Sequence, residues 1–124
     1  MVELIDSHCH LYDTRGVALD DVLAAARAAG IVQMVNVGCD EATTRAAIEI
    51  ASTHDGVYAT VGLHPHEAVH GIDTILPFLD DPAAMAHVIA IGEAGFDLYY
   101  EHSPRDAQAE VFALILCDWN MPGM

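Results

Sequence analysis

Two histidines separated by one residue, His8 and His10, follow a short apolar run near the start of the chain. Side chains of an extended segment alternate, so these two imidazoles project to one side together with Asp6 and can grip one cation. Imidazole suits Zn, Mn, Fe or Co, and a nearby carboxylate completes such a site. The plainer reading of the pair is two surface histidines in a loop. Glu93 supplies a candidate carboxylate. It lies between Gly92 and Gly95 directly after the apolar run Val88–Ile91, where glycines let the backbone bend and a ligand approach closely. A carboxylate there can bridge two metals spaced for phosphate-ester hydrolysis, or it can cap a helix. His64 and His66 flank Pro65, which is expected to hold the segment extended. His64, nearer the strand end, is the candidate to meet a substrate phosphate, whereas His66 reads equally well as an ordinary loop residue. His54, His70, His87 and His102 lack such company and read as structural. Cys9 and Cys39 have no histidine base beside them and read as small packing residues.

These groups need elements to carry them, and the chain alternates short apolar strands with Ala-rich helices. Val2–Asp6 reads as a strand. Leu19–Ala29 has helical apolar spacing, an acidic first turn and Gly30 as its stop. Ile31–Val37 is a β-branched strand, and Glu41–Thr53 a helix with Asp40 as N-cap. Val57–Leu63 is a third strand. Asp73–Leu79 reads as helical, Asp81-Pro82 opens another short helix, and His87–Ile91 is a fourth strand. Ser103-Pro104 looks like an N-cap and first helical position, opening a helix to about Phe112. Ala113–Asp118 reads as a fifth strand. Strands alternating with helices imply βαβ units and a parallel sheet, with function at the carboxyl ends of the strands. The polar clusters after strands one, three and four occupy those ends.

Composition narrows the function. The 124 residues are 53% hydrophobic, which supports a single packed domain, and 19 Asp and Glu stand against four Arg and no Lys, a net charge of −15. Nucleic-acid binding through a basic surface is therefore excluded, and an anionic substrate must be held by other means, such as metal ions. The N-terminus lacks the basic and apolar regions of a signal peptide, and no apolar run approaches a membrane span. Three cysteines at unrelated spacings form no disulfide framework, so a cytoplasmic location is expected.

Four ordered motifs, DSHCHL (Asp6–Leu11), GLHPH (Gly62–His66), IGEAGFDLYY (Ile91–Tyr100) and SPRDAQAEVF (Ser103–Phe112), resemble the TatD family of metal-dependent DNases, amidohydrolase-like TIM-barrel hydrolases. The resemblance implies an α/β fold, the N-terminal half of a (β/α)8 barrel with four to five parallel strands. It further implies divalent metal ions in a two-metal site, with Mg, Mn or Zn not distinguished, and hydrolysis of phosphodiester bonds, commonly in DNA. His8 and His10 match the first two metal ligands of the family, Glu93 its metal-sharing, catalytic carboxylate and His64 a site histidine. Phe96 stands where the family has an aliphatic residue.

A closed barrel needs roughly 200 residues or more. The family's later ligands, two histidines and an aspartate, have no counterpart among these 124 residues. Beyond Phe112 the pattern changes: Leu114–Met124 resembles the phospho-acceptor strand of response-regulator receiver domains, with Asp118 at the acceptor position. A receiver also needs a lysine, so Asp118 reads as a strand-end residue. Residues 1–112 are thus expected to form a partial hydrolase domain and 113–124 a foreign tail. The junction could come from recombination, from a frame or assembly error, or from engineering. Five strands leave an open sheet edge, for which homo-oligomerisation or poor solubility is expected. Two functions follow: a TatD-like phosphodiesterase using a metal-activated water, incomplete in this chain, or a non-catalytic half-barrel that binds metal weakly or not at all.

Overall fold

Four strands, β1 (Leu4–Cys9), β2 (Ile31–Asn36), β3 (Val57–Val61) and β4 (Val88–Ile91), build one parallel sheet in sequential order in a computed structural model that describes residues 2–118. Right-handed crossovers between parallel neighbours put the connecting helices on a single face of such a sheet. The fold is α/β, and this arrangement is consistent with the first half of a (β/α)8 barrel. Among the described strands, β1 and β4 each keep one unpaired edge, and Ile5, Val32 and Ile89 remain exposed.

The first helix, α1 (Leu19–Ala28), has Asp20 and Asp21 in its first turn and Arg27 in its last, charges that complement the helix dipole. Gly30 ends it at φ +95°, a left-handed conformation that costs glycine little, and its carbonyl accepts from Leu4 N as the chain turns into β2. The second helix, α2 (Glu41–Thr53), starts on the expected N-cap. Asp40 accepts from Thr43 N at 2.7 Å while Thr43 Oγ1 accepts from Asp40 N at 2.9 Å. A reciprocal cap of this kind stabilises a helix by about 1 kcal/mol. Leu23, Met34, Ala47, Ala51, Val57 and Ala59 close a core between these helices and the sheet.

The connection from β3 to β4 is broken into short pieces: a 3-10 helix at Pro65–His70, another at Ile72–Thr74, then α3 (Leu76–Leu79) and α4 (Pro82–Met85). Pro65 therefore opens a helical turn instead of holding the segment extended, because proline's fixed φ suits a first helical position as well as a strand. Ile72, Ile75 and Phe78 bury against Val61, Leu63, Val111 and Ile115 in a second core.

Two expectations need correction at the C-terminal end. Ala113–Asp118 is not a strand: it continues α5 (Arg105–Asp118). A six-residue apolar run carries too little periodicity to separate strand from buried helix. What decides is that Gln108, Val111 and Ile115, at helical spacing, form the buried stripe of α5. Asp118 accordingly lies in a helix, and the tail string from Trp119 onward lies outside the described residues. Ser103 is not the N-cap either. Pro104 O accepts from Gln108 N, while the fully buried Ser103 hydroxyl donates to His66 O at 2.6 Å and accepts from Val69 N at 3.0 Å. It thus fastens the Pro65–His70 turn to the start of α5.

Candidate metal centre

β1 runs three residues further than its apolar stretch suggests, so His8 lies on the strand itself. Asp6 pairs with Met34 and Cys9 with Asn36, which gives β1 one extra residue at Ser7-His8, a bulge. Bulges re-aim side chains, and here the Nε2 atoms of His8 and His10 come to 3.3 Å from each other. Asp6, expected on the same side, instead accepts from His8 N at 3.1 Å and is absent from the ligand group.

His10 is held from behind. Its Nδ1 lies 2.6 Å from Tyr12 Oη and 3.3 Å from the Val37 carbonyl, to which Tyr12 also donates at 2.8 Å. Both carbonyl lone pairs are acceptors only, so the proton belongs on Nδ1 and Nε2 presents a lone pair toward His8. That is the orientation metal-binding histidines take from a neighbouring acceptor. Burial, then the Cys39 thiol, push the Tyr12 phenol well above its ordinary range, so Tyr12 remains a donor.

Glu93 is positioned by backbone. Gly92 N donates to Val61 O at 2.8 Å, Glu93 N donates to Gly38 O at 3.0 Å, and Thr60 Oγ1 donates to Gly92 O. The glycine at Gly62 is required for this approach: a Cβ there would overlap the Gly92 carbonyl and Glu93 N. The carboxylate stands between two imidazoles, with Oε2 3.8 Å from His8 Nε2 and Oε1 3.6 Å from His64 Nε2. These gaps are too long for direct hydrogen bonds.

Donor atoms of His8, His10 and Glu93 all fall within 4.8 Å of one another. Nitrogen and oxygen ligands stand about 2.0–2.2 Å from an ion such as zinc, so two ligands of one ion are separated by at most about 4.4 Å, which side-chain shifts of roughly a few tenths of an ångström would reach here. Two imidazoles and a carboxylate at this spacing fit a divalent transition metal.

The remaining residues divide. Cys39, expected to be packing, is only half-buried, and its Sγ donates to Glu93 Oε2 at 3.7 Å. Burial raises its pKa, and burial together with Asp6 raises that of Cys9 to about 11. Both remain thiols at neutral pH, which removes a thiolate nucleophile. His66 is more than a loop histidine. Its Nε2 lies 2.5 Å from Asp97 Oδ2, and its ring meets those of His64 and His102 edge-on. His102, read as structural, therefore stands next to the site. Asp97 and Tyr12 escaped the sequence reading. Tyr12 carried a usable signal, since it continues the two-residue spacing of His8 and His10. Asp97 lies within the IGEAGFDLYY motif, but nothing local names its partner, which is 31 residues away.

Asp97 gives a pH prediction. The His66 hydrogen bond first, then the Tyr100 and Tyr99 amides, lower its carboxyl from 3.8 to about 2. A depressed carboxyl adds stability above its unfolded pKa and loses it as pH falls through the folded value. The Asp97 loop is therefore expected to hold at neutral pH and loosen progressively from about pH 4 to pH 2. Tyrosine fluorescence across that range should report a step that Asp97→Asn removes; a parent protein with no step would contradict the assignment.

Comparison with known proteins adds lineage to this geometry. The family model described as TatD related DNase matches residues 5–117. An uncharacterized metal-dependent hydrolase, YabD of Bacillus subtilis, is 37% identical over 113 residues, covering 88% of this chain and 43% of the relative. The 3'-5' ssDNA/RNA exonuclease TatD of Escherichia coli K12 is 30% identical over 106 residues, 83% of this chain and 41% of that protein. Among solved structures, YJJV, a TatD homolog from Escherichia coli, superposes with a TM-score of 0.72 at 26% identity over 92% of this chain and 45% of its own. A TatD-family hydrolase from Entamoeba histolytica gives a TM-score of 0.82 at 22% identity, covering 97% and 47%, a likeness of fold. The chain spans less than half the length of these relatives.

Proposed function

The chain belongs to the TatD-related DNase family, and on that footing we propose that it carries the metal-binding part of a divalent-metal-dependent hydrolase of phosphodiester bonds in nucleic acid. One observation carries this reading: two imidazoles and a carboxylate converge at the carboxyl ends of β1 and β4, where barrel folds place their chemistry. His8, His10 and Glu93 would hold the ion, Mg, Mn or Zn, and Glu93 would be the ligand shared with a second ion. Such ions, when bound, lower the pKa of a water and offset phosphate charge. His10 is kept in the ligating tautomer by Tyr12 and the Val37 carbonyl. His64 Nε2, facing Glu93 Oε1, would donate to a phosphate oxygen of the substrate. Single-stranded DNA or RNA is the substrate named for the exonuclease relatives and the first to try here. Free thiols at Cys9 and Cys39 fit a cytoplasmic setting.

The test is nucleotide release from a single-stranded oligonucleotide with and without Mn2+. Stimulation by Mn2+ and a rate lower by about 100-fold or more in Glu93→Gln are expected for loss of the anionic ligand to the activating ion. A rate indifferent to chelation, or to that substitution, would overturn the reading. The exposure of His8, about half its surface, favours a second reading in which the chain binds metal weakly and does not catalyse. Metal binding confined to millimolar concentrations, with no release of nucleotides, is its signature.

A further inference from the structure

Beside the ligand cluster lies a cleft of about 700 Å³ whose lining includes His64, Glu93, Phe96, Leu98 and Tyr99. One wall carries the proposed chemistry and the other is aromatic and open to solvent. Tyr99 is 86% exposed and the adjoining Tyr100 66%, large apolar areas for a protein surface. The backbone that carries these rings is nonetheless fixed. Tyr99 N and Tyr100 N both donate to Asp97 Oδ1, at 2.9 and 3.0 Å, and Asp97 is clamped through both its backbone N and O by the buried Gln108 amide. Tyr100 lies parallel to His102, with an angle of 2° between the rings, and Tyr99 meets Tyr100 edge-on at 4.8 Å. A fixed backbone and neighbouring rings in contact reduce what must be ordered when a flat partner binds.

Charge points to the same partner by elimination. A strand of nucleic acid is ordinarily gripped by its phosphates, yet this chain has four arginines and no lysine. Arg45 pairs with Glu41, Arg105 pairs with Glu101 and Arg27 donates to the Asp55 carbonyl; none of the four arginines lines the cleft. With no arginine or lysine in the cleft, any grip on the substrate beyond the metal ions and His64 falls to its uncharged parts. Bases offer those parts, since every base has a π-face and stacking is tolerant of sequence.

We propose that Tyr99 and Tyr100 form a stacking platform for the bases of single-stranded nucleic acid, delivering the adjacent phosphodiester to the Glu93 end of the cleft. The proposal rests on the reading of the chain as a nucleic-acid hydrolase and adds how that substrate is held. It carries an unusual corollary: affinity depends on bases more than on phosphates and does not fall as salt is raised, because salt screens the repulsion between strand and protein.

The experiment compares a fluorescent single-stranded deoxyoligonucleotide with an abasic strand of equal length, by anisotropy in EDTA across a salt series. The base-bearing strand is expected to bind tighter. Its advantage should shrink about 5- to 150-fold in Tyr99→Ala or Tyr100→Ala, the worth of one stacked base, and return in Tyr99→Trp. The log–log salt slope should be flat or positive, against about −0.7 for each phosphate neutralised on a single strand. Equal binding of the two strands, no binding of either, a negative salt slope, or Tyr99→Ala behaving as the parent would overturn the platform. So would Tyr99 proving to be covered by a second copy of the chain, seen as a dimer that Tyr99→Ala dissociates. Cleavage in Mn2+ separates the two ideas. Base-dependent binding without cleavage leaves the platform standing and removes the hydrolase reading, whereas cleavage with tyrosine variants that bind normally does the reverse.

Discussion

Replacing Glu93 by Gln is expected to weaken Mn2+ binding by about 100-fold or more. Gln keeps the shape of the side chain but removes the only anionic donor among the three grouped ligands, His8, His10 and Glu93. Changes to residues that merely orient a ligand cost about 10- to 100-fold in metal affinity, so removing the charged ligand itself should cost at least the upper end. The carboxylate also faces His64 at 3.6 Å, and loss of its charge leaves a bound cation with no anionic ligand among the three. Calorimetric titration of parent and variant reads the effect directly. The metal-free fold should be little changed, because Glu93 is anchored through its backbone to Gly38 and its side chain is one-third exposed. Equal affinity in the two proteins would remove Glu93 from the site and with it the proposed chemistry. Absence of binding in the parent would favour the non-catalytic reading.

Gly62→Ala should have the second large effect, through packing alone. The added methyl would overlap the Gly92 carbonyl and Glu93 N, which are backbone atoms and cannot swing aside as a flexible side chain does. Relief requires β3 and the end of β4 to separate, breaking the Gly92 N to Val61 O bond that sets the height of Glu93. Overpacking of this kind typically costs about 1–3 kcal/mol, and here the strain falls on the backbone that carries a ligand. Both the thermal midpoint and the Mn2+ affinity are therefore expected to fall. Gly71→Ala is the matched comparison. Its φ is +81° but an added Cβ meets nothing within 4 Å, so it should lose roughly 1–2 kcal/mol of stability and leave metal affinity unchanged. If Gly62→Ala matched Gly71→Ala in both measurements, the close approach of β3 to Glu93 would not matter to the site.

Much of the frame was legible because its signals are local. The N-cap Asp40, the Gly30 stop, the acidic first turn of α1 and the β-branched run of β2 act within a few residues, and α1, β2 and α2 lie within a few positions of where they were expected. The errors fall where a local signal is ambiguous. Pro65 serves a strand or a helix start equally, and the six residues 113–118 suit a strand until Val111 and Ile115 are seen to bury together. Ser103 looked like a cap from its neighbours, but its hydroxyl is used by residues 34 and 37 positions away.

The candidate site divides along the same line. Residue types, spacing and the family resemblance pointed to His8, His10, His64 and Glu93 as candidates, since donor identity is written in the sequence and sequential βαβ units bring strand ends together. Which side chains touch was a matter for tertiary structure. The β1 bulge turns His8 to His10, the missing side chain at Gly62 lets Glu93 reach them, and the Gln108 amide fixes the Asp97 loop that sets His66 and the two tyrosines. Distances of 3 to 4 Å between groups as much as 85 positions apart depend on register, twist and close backbone contact, and these are properties of packed elements that no short window of residues encodes.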